Sequence, residues 1–209
     1  EEQRAGIEAV AMDMWDPYVA LVKEHVGAAG EKIVFDKFHI AAHVGEAVDK
    51  VWHGESRQLR QRGDESLTGT MYLWLRNAMS LAGKLSEDPA ARFDGPRSTS
   101  LKTARAWAMK ETRMALFSYR RNHAAKAFYE DWHRWAMRSR LKPMKEVAKM
   151  MMRRLDLILN YCRHRITNAR SEALNTKIQW VKATARGYRS QQNFIDAICF
   201  HCGALNLNP

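Results

Sequence analysis

Strand-like sequence in this chain is confined to the part before residue 37, which limits any sheet to a small one beside a helical remainder. Residues 9–12 and 32–35 have the composition of buried strands, and they end at Asp13 and Asp36. Between them, the segment from Asp16 onward repeats apolar residues at helical spacing. Strand, helix and strand in this order predict a parallel pair. The carboxyl ends of such strands line the crevice where open α/β sheets bind ligands.

Beyond Asp36 the apolar residues recur with a helical period, and turn-rich breaks separate the segments. The predicted helices are 37–60, 66–82, 101–140, 143–164 and 168–185, and the predicted breaks are Gly63-Asp64, 83–100 and Lys142-Pro143. An aromatic stripe in the third helix is typical of core. We therefore predict a predominantly helical chain. Its parts are an α/β core at 1–40, a large all-helical insertion at 41–165, and a C-terminal core helix and tail at 166–209.

The last predicted helix carries two rows of residues. Leu174, Ile178 and Val181 form an apolar row, which predicts one buried face. A separate polar row consists of Asn168, Glu172, Asn175 and Gln179.

Positive charge is concentrated in the second half of the chain. The whole chain has a formal net charge of +11, and residues 134–189 hold fifteen Lys or Arg against three acids. A concentrated positive field of this kind usually binds a polyanion, and nucleic acid is the partner we prefer. The alternative is a basic surface that only makes the protein soluble. The sequence has no apolar stretch of membrane-spanning length and no signal peptide at residue 1, so we expect a cytoplasmic protein without a membrane partner.

The three cysteines are expected to be reduced, because their number is odd and nothing indicates secretion. Cys199 and Cys202 have the spacing of half a zinc site, but a lone pair of this kind is weak evidence for zinc, and simple packing is the alternative.

Three carboxylates could carry chemistry. Asp13 and Asp36 follow the two predicted strands, and Glu172 lies on a helix in a strongly basic setting. Carboxylate oxygens are the ligands that Mg²⁺ prefers, and one or two such ions can act on a phosphodiester. The spacing alone leaves another interpretation open, in which the aspartates are turn or helix-capping residues and Glu172 is a solvated surface residue.

Ordered sequence matches give the chain a family resemblance. They are residues 11–15 (AMDMW) with Tyr18 following, 34–40 (VFDKFHI), 45–50 (GEAVDK), 72–77 (YLWLRN), 110–111 (KE), 159–161 (LNY), 168–179 (NARSEALNTKIQ), 185–189 (ARGYR) and 200–203 (FHCG). On these residues the chain resembles the catalytic region of bacterial insertion-sequence transposases of the ISL3 type.

The resemblance implies a DDE transposase, with a ribonuclease-H-like α/β core and a helical insertion before the last acidic residue. It also implies Mg²⁺- or Mn²⁺-dependent DNA strand cleavage and strand transfer at insertion-sequence ends. Asp13 matches the second catalytic aspartate and Glu172 the catalytic glutamate, and both would be metal ligands. Asp36 and His39 match a D-x-x-H pair with an auxiliary role. An alternative alignment makes Asp36 the second catalytic aspartate.

The same resemblance suggests how DNA is held. Asn168 and Asn175 would flank the metal site, and the candidate phosphate contacts are Lys177, Lys182, Arg186 and Arg189. The implied partners are element ends, target DNA and further copies of the chain in a synaptic complex.

Two departures from the family pattern leave activity open. The first catalytic aspartate of the family lies on a strand upstream of the residues present here, so we expect the triad to be incomplete. Ala42, Trp52 and Met71 also stand where basic residues are common in the family. The alternative hypothesis is a non-enzymatic, basic, helical nucleic-acid-binding fragment, an inactive transposase remnant.

Overall fold

The computed structural model describes residues 6–75 and 101–203, and these fall into two compact units. The first unit is Glu1–Ile166 and the second is Thr167–Pro209. The predicted break at 83–100 and the second half of the predicted helix 66–82 lie outside the described residues.

The predicted parallel strand pair is present in the first unit. Strand β1 (Val10–Met12) pairs with β2 (Ile33–Phe35), and Met12 lies opposite Phe35. Helix α1 (Asp16–His25) and the single-turn helix α2 (Ala29–Lys32) connect the strands. All three residues of β2 are fully buried, so β2 lies in the core.

Six described helices follow in the first unit. They are α3 (Lys37–Arg60), α4 (Met71–Leu75), α5 (Lys102–Met114), α6 (Asn122–Arg138), α7 (Lys142–Met152) and α8 (Leu155–His164). The prediction for 37–60 is confirmed, and the described part of the chain is predominantly helical as expected.

The prediction of one helix over 101–140 is wrong. A 3₁₀ turn, Ala115–Ser118, and an extended link to Arg121 separate α5 from α6. The Arg165 guanidinium donates to the carbonyls of Phe117 (2.7 Å), Ser118 (3.4 Å) and Tyr119. The interruption is therefore stabilised by a side chain distant in sequence, which satisfies the carbonyls that a continuous helix would have paired.

The prediction of one helix over 143–164 is also wrong. Helix α7 ends at Met152 and α8 begins at Leu155, with Arg154 in a non-helical conformation between them. Arg154 donates to Asp16 at 2.6 Å, so a contact with the start of α1 accompanies the break. The predicted break at Lys142-Pro143 lies slightly earlier, because α7 begins at Lys142 with Pro143 in its first turn.

Buried polar side chains hold the helical body together. The Glu55 carboxylate accepts hydrogen bonds from Lys102 N (2.8 Å) and from the backbone N and hydroxyl of Thr103 (2.7 Å each). It therefore caps α5 from α3. The Thr70 hydroxyl accepts from the indole nitrogens of Trp52 (3.2 Å) and Trp74 (3.0 Å). Trp52 is thus a core side chain.

The most unusual buried group is Arg113, whose side chain lies 4.5 Å from the centroid of the Phe117 ring. Burial lowers the pKa of the Arg113 guanidinium to about 9. Among the described residues, its Nε and Nη2 have no hydrogen-bond partner. The contact with Phe117 offsets only part of the cost of this buried charge.

Helix α8 fixes the position of β2. Asn160 Nδ2 donates to the carbonyls of Gly30 (2.8 Å) and Ile33 (2.7 Å), and His164 Nε2 contacts the Glu31 carbonyl at 2.9 Å. The carboxyl-terminal half of α8 therefore lies at the amino end of β2, so α8 runs antiparallel to β2 and begins near its carboxyl end.

The second unit contains two described helices, α9 (Ala169–Thr184) and α10 (Gln191–Cys202). Helix α9 agrees with the predicted 168–185, whereas α10 occupies a segment that we expected to be a tail. The expected buried face of α9 is wrong for Leu174, which is 44% exposed, and in this helix Val181 is the one residue described as buried. Tyr188 connects the two helices, since its hydroxyl donates to the Val181 carbonyl and its ring packs on Phe194.

None of the helices described, in either unit, combines the length and the apolar character needed to cross a membrane.

Candidate active site

The parallel strands bring Asp13 and His39 together. Asp13 directly follows β1, and His39 lies in the first turn of α3, which follows β2. His39 Nε2 is 2.9 Å from Asp13 Oδ1, and the side chains are 41% and 38% exposed. This carboxylate–imidazole pair therefore lies at the carboxyl edge of the strand pair and is accessible to a ligand, as expected for open α/β sheets.

Asp36 has a different environment from Asp13. It is 1% exposed, and its Oδ1 accepts a hydrogen bond from Phe38 N at 2.7 Å as the N-cap of α3. Its backbone N donates to the Met12 carbonyl at 2.9 Å. Asp36 thus fixes the start of α3 and, through it, the direction of His39. This capping role was the alternative that the sequence pattern left open.

Two exposed aromatic side chains follow Asp13. Trp15 and Tyr18 are 54% and 49% exposed, and their rings meet edge to face at 4.5 Å. Sequence reasoning matched these residues only as parts of family motifs. Exposed aromatic rings of this size are surfaces on which bases can stack.

In the second unit, Glu172 lies in the first turn of α9, where the helix dipole favours a negative charge. Its side chain is exposed, and its carbonyl accepts a hydrogen bond from the Thr176 hydroxyl at 2.8 Å. Asn168 occupies the N-cap position of α9 without bonding the helix through its side chain, and Asn175 is exposed. Because the helix is continuous, Asn168, Glu172 and Asn175 share one face.

The four candidate phosphate contacts are all exposed in the second unit. Two lie on α9 and two in the connection that follows it: Lys177, Lys182, Arg186 and Arg189. Arg186 has φ of +52° and precedes Gly187 at φ of +119°, so the chain turns sharply between the two arginines.

A family comparison decides the identity of the chain. The model of the transposase family DDE_Tnp_ISL3 matches residues 1–198. The chain belongs to the ISL3 transposase family.

Curated relatives agree with this assignment. The chain is 26% identical to the "Transposase for insertion sequence element IS1557" from two strains of Mycobacterium tuberculosis, CDC 1551 and H37Rv, over 93% of its length. It spans 47% of those relatives, or about half their length. No solved structure matches the chain.

Transposases of this family generally use a divalent metal ion. The residues at the carboxyl edge fit such an ion through the Asp13 carboxylate, because Mg²⁺ prefers oxygen donors. Imidazole nitrogen suits softer metals than Mg²⁺ or Mn²⁺, so His39 fits better as a group that would orient the Asp13 carboxylate through their hydrogen bond.

The cysteines of this ISL3-family chain are free thiols, as expected, and they are divided between the units. Cys162 is buried on α8, where burial raises its pKa. Cys199 and Cys202 lie on α10 in the second unit.

Proposed function

We propose that this chain supplies two carboxylates, Asp13 and Glu172, to the metal centre of a DNA transposase that cleaves and joins strands at insertion-sequence ends. The observation that carries the proposal is the Asp13–His39 pair at the carboxyl edge of a parallel strand pair, in a chain of the ISL3 family. We further propose that β1, α1 and β2 belong to a ribonuclease-H-like core, and that the upstream first aspartate completes the triad.

The proposed chemistry is two in-line displacements at phosphorus. Bound to the carboxylates, Mg²⁺ or Mn²⁺ would activate the nucleophile and stabilise the attacking and leaving oxygens. Water attacks first and forms a P–O bond as the bond from phosphorus to the 3′-oxygen breaks, which leaves a 3′-hydroxyl and a 5′-phosphate. The 3′-hydroxyl then attacks a target phosphodiester and forms the joining P–O bond, while the target's own 3′-oxygen leaves as a hydroxyl.

The protein's contribution is to fix the ligands. His39 holds the Asp13 carboxylate in one orientation by its hydrogen bond, and Asp36 fixes the helix from which His39 projects. Asn168 and Asn175 share a helix face with Glu172 and would flank the ion or its water. Lys177, Lys182, Arg186 and Arg189 would contact DNA phosphates. A synaptic complex joins two element ends, so we infer that the active form is a homo-oligomer.

Metal binding by the 209-residue chain tests the assignment directly. A calorimetric titration with Mn²⁺ should show saturable binding. Asp13→Asn should weaken this site at least tenfold, as expected for losing a charged ligand. His39→Gln should weaken it less, because a positioning residue acts through Asp13. The matched control is Asp49→Asn, which changes an α3 carboxylate ion-paired to His53 at 3.5 Å. Equal affinities for all three variants would exclude Asp13 as a ligand.

Strand cleavage tests the role of Glu172 in a full-length transposase that contains this chain. Glu172→Gln should abolish cleavage and leave DNA binding nearly unchanged, whereas Glu24→Gln on α1 should change neither. Cleavage that survives Glu172→Gln contradicts the assignment.

The second candidate function is non-enzymatic nucleic-acid binding by the chain alone. Its support is the concentration of Lys and Arg in residues 134–189, fifteen against three acids. It predicts sequence-independent binding that weakens steeply with salt, without nuclease activity in Mg²⁺ or Mn²⁺. Addition of metal to a labelled duplex distinguishes the two functions.

A further inference from the structure

A basic cleft lies in the first unit, beside the strand pair. One wall is a single face of α1, formed by Asp16, Val19 and Lys23, and the other is the α7–α8 junction. The junction contributes Arg153, Arg154 and Leu157, and buried Phe35 forms the floor. The cavity volume is about 520 Å³, and the wall on α1 extends about 10 Å along the helix axis.

The charges in this cleft are not balanced. It contains three cations and one acid, and that acid is occupied, because Asp16 accepts the hydrogen bond from Arg154 at 2.6 Å. Lys23 and Arg153 are exposed and form no ion pair with any residue in the described ranges. Two positive charges therefore face open solvent with Arg154 held between the walls, an arrangement that attracts a polyanion.

The cleft is close to Asp13. Asp16 is three positions after Asp13 in the sequence, so their Cα atoms are at most about 11 Å apart. The Arg153–Arg154 junction begins α8 at the carboxyl end of β2, and Phe35 is the last residue of that strand. The Asp13–His39 pair and the cleft thus lie at the same edge of the strand pair. Phosphates of one DNA strand recur about every 3.4 Å of helix rise, so the cleft is within a few phosphates of Asp13.

We propose that this cleft binds the phosphate backbone of DNA next to the cleavage position, through Lys23 and Arg153, with Arg154 positioned by Asp16. The inference rests on the proposed function, which supplies the DNA. It adds a contact surface in the first unit to the four cations proposed in the second. Because Lys and Arg contacts to phosphates carry no sequence information, the cleft positions the strand without selecting its sequence.

The test is the salt dependence of DNA binding by the 209-residue chain. Binding of a fluorescein-labelled duplex is followed by anisotropy in EDTA, so that no metal site contributes. The variant Lys23→Gln/Arg153→Gln should lower the slope of log affinity against log salt by about 2, since each lost phosphate contact removes about 0.9. The control Arg121→Gln/Lys126→Gln removes two exposed cations outside the cleft, the N-cap residue of α6 and a residue near its start, and its slope should equal that of the unmodified chain.

Further variants guard against a folding artefact. Lys23→Arg/Arg153→Lys keeps both charges and should retain the full slope. Asp16→Asn removes the negative charge, while its amide oxygen can still accept from Arg154, so it should tighten binding several-fold. Equal slopes for the cleft and control variants overturn the proposal. Calorimetric binding of inorganic phosphate that Lys23→Gln/Arg153→Gln abolishes, with an unchanged DNA slope, also overturns it by assigning a small-anion site.

The outcome is separable from that of the proposed function. A reduced slope together with absent cleavage would support the cleft and contradict the enzyme. Normal metal binding by Asp13 with an unchanged slope would support the enzyme and contradict the cleft.

Discussion

Helices α8 and α9 bear on the same proposed chemistry but are stabilised in different ways. Helix α8 buries five of its ten residues, Leu155, Ile158, Leu159, Tyr161 and Cys162, and its polar Asn160 is bonded to the chain entering β2. Helix α9 has sixteen residues, of which Val181 is the one described as buried. Short helices without a packed face are marginal in water. The comparison shows that α8 is part of the packed scaffold, whereas most side chains of α9 are exposed.

Truncation of one apolar residue in each helix should give the largest difference in stability between α8 and α9. Ile158→Ala removes a side chain that is 1% exposed, so it should lower the free energy of unfolding by about 2–5 kcal/mol. Leu174→Ala on α9 should change it by less than about 0.5 kcal/mol. Urea denaturation of both variants measures the difference. Similar losses would mean that α9 is packed as firmly as α8.

Two glutamates extend the comparison to polar groups. Glu55→Gln replaces a carboxylate that accepts three hydrogen bonds at the start of α5, and the amide nitrogen cannot accept. It should cost about 1–3 kcal/mol of stability for the donors left unsatisfied. Glu172→Gln should cost less than about 1 kcal/mol, because the exposed side chain loses only its interaction with the dipole of α9. A loss as large as that of Glu55→Gln would assign Glu172 a structural role.

The two aspartates after the strands should give the smallest difference in stability, together with a difference in metal affinity. Asp36→Ala removes the N-cap of α3 and should cost about 1 kcal/mol. Asp13→Asn should cost less than about 0.5 kcal/mol yet lose metal affinity. Thermal unfolding and Mn²⁺ titration of the same two preparations separate capping from ligation. A metal loss confined to Asp36→Ala would favour the alternative alignment, with Asp36 as the second catalytic aspartate.

The pattern of apolar and polar residues was sufficient to predict the elements whose structure depends on neighbouring residues. Apolar runs ending in Asp predicted both strands, and uninterrupted periodicity predicted α3 from 37 to 60. The parallel order of the strands also predicted that the positions after them would share one edge, where Asp13 and His39 are found.

The pattern of neighbouring residues failed to predict structure that side chains distant in sequence stabilise. Arg165 satisfies carbonyls near Phe117, 48 residues away, and Arg154 reaches Asp16 across 138 residues, so neither helix break had a local signal. The buried guanidinium of Arg113 was also unforeseeable, because charged residues are usually placed at the surface. The cleft of Lys23 and Arg153 depends on the same long-range packing.

The bonds from Asn160 to the carbonyls of Gly30 and Ile33 close a loop of more than 120 residues. The helical body leaves the strand pair at the carboxyl end of β2 and returns along the same strand through α8. Its two attachment points are therefore neighbours, and the geometry at Asp13 does not depend on how much chain lies between them. Loop-closure entropy rises only logarithmically, by about 0.6 kcal/mol for each doubling of length. This arrangement lets evolution enlarge, shorten or exchange the intervening helices while the strand ends keep their positions.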